Sequence, residues 1–560
     1  MSRTETNQSC RWPSAAELRW AAVLAASFML LTCLPYLFGL AIRPPGYYYS
    51  GLLTNPDEHN VYLSLVRQAH DGHLFILDQF TSEPQAGRAI NIFFLTLGLS
   101  ARLLHLPIPV AYHLARVVSG WLLLMAVYWL AAQVLSTIAA RRLALILAAT
   151  ASGFGWLFHA QGGQPHPVDY GPGLVMPEAI TFLTLLLNPL FAFSVFLMVA
   201  TIGLSAHAFT SRSVRSAIFA GLCALVLGNI HTYDLVPVIA VLLVYLFYLL
   251  ATRRAGAQSV ALALLIAALA APSALYQYWL LRSGEIGAVV KTLGQWEYSR
   301  GPRYLALGLG LPFVLALVGA ARALARGAPD RARLVALWLV LGFGLVYLPV
   351  PFQRKLAEGL HVPVCLLAAY ALEPLLRRSP RRALWLSAAL VLMCVPSNAL
   401  YVNRALGDLV GNNTTYLGNL MPPLYLRPDQ YGALRWLDRE ASRSDVLLAN
   451  TFLSSYAPSL AGVRVYAGHW SETLHYDRKV REISAFLAAG TADAEREAFC
   501  RGQGIAYVLH DRSIYDEAFL PPSRQSAGVF DPDASPWLLP VFAQDRVTVY
   551  RVLNRGAPSL

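Results

Sequence analysis

Eleven long apolar stretches constrain the fold of this sequence more than any other feature. Each is long enough for a helix that crosses the hydrocarbon core of a bilayer, which takes about 20 residues. Hydrophobic residues make up 56% of the 560-residue chain and charged residues 14%, against about 45–50% and about 25% in soluble domains. A large soluble enzyme and a disordered or fibrous chain are therefore excluded. The stretches lie near 20–42, 113–137, 143–160, 189–209, 216–230, 233–252, 258–280, 303–321, 333–350, 359–376 and 383–401.

These stretches predict an all-α polytopic membrane domain with about eleven transmembrane helices. The segment Ala89–Ser100 is apolar over about 12 residues, a length that favours an interfacial helix over a spanning one. The first loop then covers about 43–112. The stretch Trp20–Ile42 is too long for the apolar region of a cleavable signal peptide and is expected to be the first membrane anchor.

Charge predicts the orientation of the chain in a cytoplasmic (inner) membrane. With a cytoplasmic N-terminus, the inside segments carry 17 arginines and the short outside loops carry 6 Lys and Arg residues. This distribution satisfies the positive-inside rule, whereas counting 89–100 as a span would break it. An odd number of spans places the C-terminal tail outside. The net charge of +12 is thus an orientation signal, and no basic run of the nucleic-acid-binding type occurs.

The tail, residues 402–560, has shorter apolar runs and ordinary charge content. Helical spacing occurs over Asp429–Ala441 and Arg478–Ala489, and short strands are predicted at Val446–Ala449, Ile505–Leu509 and Val547–Val552. These elements predict a small extracytoplasmic α/β domain. The predicted domains are therefore a membrane domain, 1–401, and a soluble domain, 402–560. The six cysteines are scattered and support neither a disulfide framework nor a zinc site.

The first loop contains two adjacent acids at a predicted helix start. Pro56 suits the first helical position, and Asn55 is the predicted cap. Asp57 and Glu58 then fall in the first turn, where they either complement the helix dipole or include a general base. Neighbouring residues point about 100° apart on a helix, so both cannot face one substrate equally, and we expect one to be catalytic and the other supporting.

Two further acidic segments are candidate site elements. The Gly/Pro-rich loop Asp169–Met176 leads to Glu178 at the start of a short helix. His231 and Asp234 lie at a break in the apolar run 216–252, which we interpret as a tight turn at the membrane face. Each of these residues is either structural or part of a site. As a metal signal the His231 pair is weak, since spacing identifies no third ligand.

Two cations on an outer loop oppose the charge rule. Arg354 and Lys355 are uncompensated in the sequence, and a lipid phosphate would compensate them. Arg300 and Arg303 in the preceding outer loop are expected to share this role. The alternative is contact with anionic phospholipid headgroups.

The tail contributes one more candidate segment. His469 and Glu472 follow a predicted strand, where polar residues often line a cleft. A structural role in loop packing is the alternative for both.

Together these features resemble the GT-C class of integral membrane glycosyltransferases, in particular the protein O-mannosyltransferase and lipid A aminoarabinose transferase-like group. The resemblance rests on one helix followed by a long loop with Asp57, Glu58 and Tyr62, then an interfacial helix ending in Leu97-Gly98-Leu99, with Arg116 beyond it. It implies a polyprenyl-phosphate sugar donor and a catalytic acid in the first loop. Asp57 is the implied general base and Glu58 the fallback. Because Asp-Glu replaces the Asp-x-Asp of some members, dependence on a divalent metal stays open.

The predicted function is transfer of a hexose or pentose from a polyprenyl-phosphate donor to an extracytoplasmic glycan, lipid or protein, with inversion at the anomeric carbon. Such a reaction needs a base for the acceptor hydroxyl and cations for the departing phosphate. Two alternatives remain open. One is a glycan polymerase or ligase that uses a polyprenyl-pyrophosphate-linked chain. The other is a lipid or solute transporter, which would more often place charges near mid-membrane.

Overall fold

The chain divides into two compact units. The computed structural model describes residues 12–159, 177–282, 298–299, 301–412, 415–416, 419–488, 490–515 and 530–553. The first unit is formed by Met1–Pro35, His113–Tyr278 and Gln295–Arg404, and the second by Tyr36–Tyr112, Trp279–Gly294 and Ala405–Leu560.

Among the described residues, eight helical segments are long and apolar enough to cross a membrane, or nine if the bent pair Arg381–Cys394 and Pro396–Gly411 forms one span. Each predicted stretch contains a helix among the described residues, but Val214–Ile230 and Asp330–Leu345 have only 17 and 16 residues, which explains the larger predicted count. The chain is thus a multi-pass membrane protein. The eight segments are Ala15–Ala41, Ile108–Val134, Ile138–Phe158, Pro189–Ser211, Thr232–Ala251, Ala257–Arg282, Pro302–Leu324 and Gln353–Arg378.

Short helical turns interrupt the long helices of the first unit. The predicted break in the run 216–252 is confirmed: a helix ends at Ile230, a 3-10 turn covers Thr232–Asp234, and the next helix begins at Leu235. Similar short elements are Pro177–Ala179 and Gln353–Ala357. These turns carry most of the polar residues singled out in this part of the sequence.

A pair of glycines fixes one helix contact in the first unit. Helix Pro302–Leu324 is interrupted at Gly310, where φ is +62°, a conformation that favours glycine. A Cβ atom on Gly310 would lie 2.5 Å from the Cα of Gly153, and one on Gly153 would lie 2.1 Å from the carbonyl oxygen of Leu307. The two backbones therefore approach more closely than any side chain would permit.

A mixed five-stranded sheet organises the C-terminal part of the second unit. The first three strands in spatial order are parallel and the last two are antiparallel to their neighbours. Four helices flank the sheet: Pro428–Glu440, Thr451–Ala461, Tyr476–Leu487 and Asp493–Gly502. The strands, in spatial order, are Arg464–Val465, Val446–Leu448, Ile505–Asp511, Val547–Val552 and Leu538–Gln544.

Helices cover both faces of this sheet. Successive strand residues point to opposite faces, and their side chains belong to two separate cores. Tyr507 and Leu509 pack with helices Pro428–Glu440 and Thr451–Ala461. Val508 packs into a separate core with residues of helices Tyr476–Leu487 and Asp493–Gly502. The predicted α/β character of the tail is confirmed, with predicted element bounds within two residues of the observed ones.

The second unit also contains the helices of the first loop, Pro56–His70 and Ile92–Leu103. They pack closely at Gly98, where a Cβ atom would lie 2.5 Å from the Cβ of Ala69 and 2.5 Å from the carbonyl oxygen of Val66. The prediction that the second helix ends near Leu99 is wrong. Its cap is Asn91, whose side chain accepts from the N–H groups of the first turn, and the helix runs on to Leu103.

Helix Pro56–His70 is joined to the C-terminal part of this unit by polar contacts. Asn60 Nδ2 donates to Ser455 Oγ at 3.1 Å, and Arg67 Nη1 donates to the carbonyl oxygen of Leu460 at 3.1 Å. Arg67 also forms an ion pair with Asp438. The acidic first turn is therefore held by side chains distant in sequence. The domain boundary after residue 401 remains a prediction.

Candidate active site

The acidic helix start of the first loop is built differently from its prediction. Pro56 is the first helical residue, as predicted, but Asn55 lies in the left-handed region with φ +44° and makes no side-chain capping bond. Asn55 is the cap residue, as predicted, but its side chain takes no part in the cap. Asp57 is only 8% exposed. A buried acid requires a specific partner. An acid that only complements the helix dipole could do so from the surface.

That partner is His469, from the loop that follows strand Arg464–Val465. The His469 side chain is 1% exposed, and its Nε2 lies 3.5 Å from Asp57 Oδ2 and 3.7 Å from Glu58 Oε2. Thr473 fixes the loop, because its Oγ1 accepts from the Gly468 N–H at 3.1 Å and donates to the Phe80 carbonyl oxygen at 2.7 Å. The structure thus brings Asp57, Glu58 and His469 together.

The other nitrogen of His469 faces polar groups of its own loop. The Ser471 N–H lies 3.2 Å from Nδ1, and Ser471 Oγ lies 3.0 Å from it. The same hydroxyl donates to Glu472 Oε1 at 3.2 Å. In a neutral ring Nδ1 accepts from the Ser471 backbone, and in an imidazolium it donates to Ser471 Oγ. Both protonation states of His469 therefore find a partner.

Electrostatics favours the charged form of His469. Burial alone would lower the pKa of His469, but the carboxylates of Asp57 and Glu58 outweigh burial and raise it to about 9. Burial raises the pKa of Asp57, and the charge of His469 opposes that rise. A positively charged His469 therefore limits the rise in the pKa of Asp57 that burial causes.

Both first-loop acids lie near one imidazole nitrogen despite the 100° helical offset between them. Glu58 is the more accessible, with a side chain 33% exposed against 12% for Asp57. Tyr62, one turn along the helix, donates from its hydroxyl to Glu58 Oε1 at 3.0 Å. The helical offset thus gives the two acids different surroundings and a shared partner.

Sequence reasoning missed Asp78, a half-buried acid of the same unit. Burial and the nearby Glu472 carboxylate raise the pKa of Asp78 well above its usual value. Its Oδ1 accepts from the Phe80 N–H at 2.9 Å, while Oδ2 is buried without a hydrogen bond. No local pattern distinguishes Asp78 from a surface acid in the sequence.

The first unit holds a second group of charged residues. Glu178, 3% exposed, lies 3.3 Å from Arg354 Nη2 and 3.4 Å from Lys355 Nζ. The premise that the two cations are uncompensated is therefore wrong. Although burial acts to raise the pKa of Glu178, Arg354 and Lys355 lower it below its usual value. The carboxylate is ionised, and two cations share one anion.

His231 and Asp234 meet a third residue that the sequence did not identify as a ligand. His231 Nδ1 lies 2.7 Å from Asp234 Oδ2 and 3.2 Å from Glu358 Oε2. All three residues are buried. Glu358 is in the same segment as Arg354 and Lys355. The sequence feature that could have identified it is an acid at the start of an apolar helix.

Arg303 and Arg116 have other contacts in the structure. Arg303 is exposed at the start of helix Pro302–Leu324 and lies over the Tyr304 ring. Arg116 is fully buried and donates from Nη1 to Thr32 Oγ1 at 2.7 Å and to the Leu185 carbonyl oxygen at 3.0 Å. Arg300 and the loop Asp169–Met176 lie outside the described residues.

Comparisons with known proteins identify the fold of this chain. No protein-family model matches the chain, and no curated protein matches its sequence. The structure is similar to the Archaeoglobus fulgidus oligosaccharyltransferase tethered with an acceptor peptide containing the NVT sequon, at a TM-score of 0.52 and 14% identity over 90% of this chain and 70% of that one. A complex of archaeal oligosaccharyltransferase AglB from Archaeoglobus fulgidus with an inhibitory peptide and a dolichol-phosphate matches at 0.50 and 12% identity, with the same coverage.

The arabinofuranosyltransferase AftD from Mycobacteria matches at a TM-score of 0.52 and 17% identity, over 98% of this chain and 41% of that one. All of these matches have low sequence identity and cover nearly the whole chain, so they are evidence for a shared fold. The chain therefore has the fold of the GT-C integral membrane glycosyltransferases, as its sequence predicts.

Proposed function

We propose that this protein is a membrane glycosyltransferase that moves a sugar from a polyprenyl-phosphate donor to an extracytoplasmic glycan, lipid or protein. One observation carries the proposal: a buried imidazole contacts two acids at the start of a helix in the first loop. The shared fold supports it, since one protein of that fold is found with dolichol-phosphate.

In the proposed reaction Asp57 is the general base. Its carboxylate takes the proton of the acceptor hydroxyl as that oxygen bonds to the anomeric carbon. The bond from the anomeric carbon to the phosphate oxygen breaks, and polyprenyl phosphate leaves with the electron pair. A single displacement of this kind inverts the anomeric configuration. His469 is a positioning residue, whose positive charge keeps Asp57 ionised until the proton arrives.

Arg354 and Lys355 are the proposed partners of the donor phosphate. Charge-assisted bonds to phosphate are stronger than neutral ones, and arginine offers a bidentate fork. Glu178 lies within ion-pair distance of both side chains and neutralises one of the two positive charges. One net positive charge then remains for the anion that develops on the leaving group.

The proposed location is the cytoplasmic membrane, with a cytoplasmic N-terminus and an extracytoplasmic C-terminal part. The positive-inside distribution of arginines supports this orientation. It would place the acids of the first loop on the side where a lipid-linked sugar, and no nucleotide sugar, is the available donor.

The decisive experiment compares Asp57→Asn and Glu58→Gln in purified protein. Transfer would be measured with a panel of hexose and pentose undecaprenyl phosphates, and binding with undecaprenyl phosphate alone. Loss of the general base should lower turnover about 10²–10⁴-fold and leave lipid binding within a few-fold. Asp71→Asn is the matched control, because Asp71 caps the other end of the same helix and lies partly exposed.

Three outcomes would count against parts of this proposal. If Glu58→Gln is inactive and Asp57→Asn turns over normally, the roles of the two acids are exchanged. If both variants are fully active, the first-loop acids are not the base. If the wild type moves the lipid across a bilayer without breaking its sugar–phosphate bond, the protein is a transporter.

A further inference from the structure

We propose that His231, Asp234 and Glu358 bind a divalent transition-metal ion such as Zn²⁺. This inference concerns residues of the first unit alone and shares none with the proposed base. Its test does not require transferase activity, so it stands or falls independently of the proposed function.

The three side chains converge on one point. Their candidate ligand atoms lie within 4.8 Å of one another, a property of no other His, Cys, Asp or Glu group in the described part of the chain. His231 is 6% exposed, Asp234 0% and Glu358 1%. Three residues from two distant segments thus meet in a place shielded from water.

Unsatisfied oxygens point to a missing cation. Asp234 Oδ1 and both carboxyl oxygens of Glu358 are buried without a hydrogen bond. Burying a carboxylate without partners is strongly unfavourable. The His231 ring lies within salt-bridge distance of both acids through a single atom, Nδ1, so it cannot satisfy all of these oxygens. A bound cation would satisfy them together.

The orientation of the imidazole suits a metal ligand. Nδ1 faces the two carboxylates, while Nε2 is hydrogen-bonded to the Tyr233 hydroxyl. With Nε2 protonated and donating to Tyr233, the Nδ1 lone pair is directed at the two acids. Metal-bound histidines commonly use their second nitrogen in this way, and the outer partner fixes the tautomer. The Phe191 ring, 5.4 Å from the His231 ring, further restricts its rotation.

The charge of the surroundings also favours a divalent ion. Besides Asp234 and Glu358, the ionised Glu178 acts on this group, and its two cationic partners are Arg354 and Lys355. With His231 neutral and all three acids ionised, the three carboxylates exceed the two cations by one negative charge. A bound divalent ion would change the net charge of this group from negative to positive. One nitrogen and two carboxylate ligands suit Zn²⁺ better than Mg²⁺ or Ca²⁺, which prefer oxygen alone.

The test uses the full-length protein, stripped with a chelator and titrated with Zn²⁺ in competition with a chromophoric chelator. The expected result is one high-affinity Zn²⁺ per chain, which Glu358→Gln and Asp234→Asn abolish. Tyr233→Phe should weaken Zn²⁺ binding roughly 10–100-fold, as loss of an outer-shell partner does. His207→Gln is the matched control, because His207 is a half-buried histidine of the same unit outside the cluster, and it should bind Zn²⁺ normally.

X-ray absorption at the zinc edge supplies a second readout on the wild type. The expected spectrum has one imidazole and oxygen ligands, without sulfur. The proposal is overturned by the absence of stoichiometric Zn²⁺, by sulfur ligation, or by binding that survives in both carboxylate variants. If a carboxylate variant fails to fold, Tyr233→Phe and the spectrum still decide, since normal Zn²⁺ affinity in Tyr233→Phe together with a histidine-free spectrum overturns the proposal.

Discussion

At the scale of single residues, His469 is the most informative side chain of the candidate site. It is buried, yet two acids raise its pKa to about 9, whereas an unfolded histidine titrates near 6.5. A raised folded-state pKa contributes stability that is complete below about pH 6.5 and is lost as the pH rises through 9. The pH dependence of stability therefore reports on this contact.

We expect the difference in unfolding temperature between wild type and His469→Gln to be largest near pH 6 and to shrink towards pH 10. The rise in the pKa of His469 from 6.5 to about 9 corresponds to at most about 3–4 kcal/mol of stability. Thermal unfolding in detergent across this pH range measures it. His510→Gln is the control: burial lowers the pKa of His510 to about 4, so its effect should be constant above pH 7. A His469→Gln effect that is independent of pH would contradict the charged contact.

Arg354 provides a second prediction at this scale. A charge-assisted bond contributes about 1.5–3 kcal/mol, so Arg354→Ala should weaken undecaprenyl phosphate binding roughly ten- to a hundredfold. Arg354→Lys should restore part of the affinity, because a fork becomes a point charge. Equilibrium binding to purified protein is the measurement. Unchanged affinity in Arg354→Ala and in its double variant with Lys355→Ala would show that the phosphate binds elsewhere.

Substitution of Glu178 should not weaken lipid binding, in contrast to substitution of Arg354. Removal of one partner from a buried ion pair leaves unpaired charge and costs about 3 kcal/mol of stability or more, so Glu178→Gln should unfold at a lower temperature. Because the freed cations can then bind an anion, its affinity for undecaprenyl phosphate should equal or exceed that of the wild type. Weaker lipid binding by folded Glu178→Gln would contradict the assignment of Glu178 as a counter-ion.

At the scale of elements, the packing of the two first-loop helices depends on one glycine. A methyl group on Gly98 would overlap the Ala69 side chain and the Val66 carbonyl. Overpacking of this kind costs about 1–3 kcal/mol. We expect Gly98→Ala to lower the unfolding temperature and the turnover together, because the strain acts on the helix that carries Asp57.

Gly407→Ala is the matched control for that prediction. Gly407 lies inside helix Pro396–Gly411, and a methyl group there would meet nothing within 4 Å. Alanine is favoured over glycine in a helix interior by about 0.5–1 kcal/mol, so this variant should be slightly more stable than the wild type. If the two substitutions had equal effects, the Gly98 contact would not govern helix packing.

At the scale of the whole molecule, the orientation in the membrane is the property to measure. Exposed sites suit cysteine labelling: Ser442 in the tail and Gly256 in a loop between two spans. A membrane-impermeant maleimide added to the extracytoplasmic side should label Ser442→Cys and leave Gly256→Cys unlabelled. The unsubstituted chain reports labelling of the native cysteines. The reverse pattern would invert the proposed topology.

Local patterns determined much of this protein. The apolar stretches, the break at His231 and the strands of the tail are encoded in consecutive residues, since bilayer thickness, turn chemistry and side-chain alternation act over short distances. Sequence also selected Asp57, Glu58, Glu178, His231, Asp234 and His469 as candidates, because ionisable groups beside apolar helices are rare. Their roles at these positions are still proposals.

Only the tertiary structure decided which of these residues meet. His469 lies beside Asp57, Glu178 neutralises Arg354 and Lys355, and Glu358 completes the group at His231. Each contact joins segments far apart in the chain, so no spacing rule predicts it. The physical reason is that a buried charge needs a partner, and packing of distant elements decides which partner is within reach.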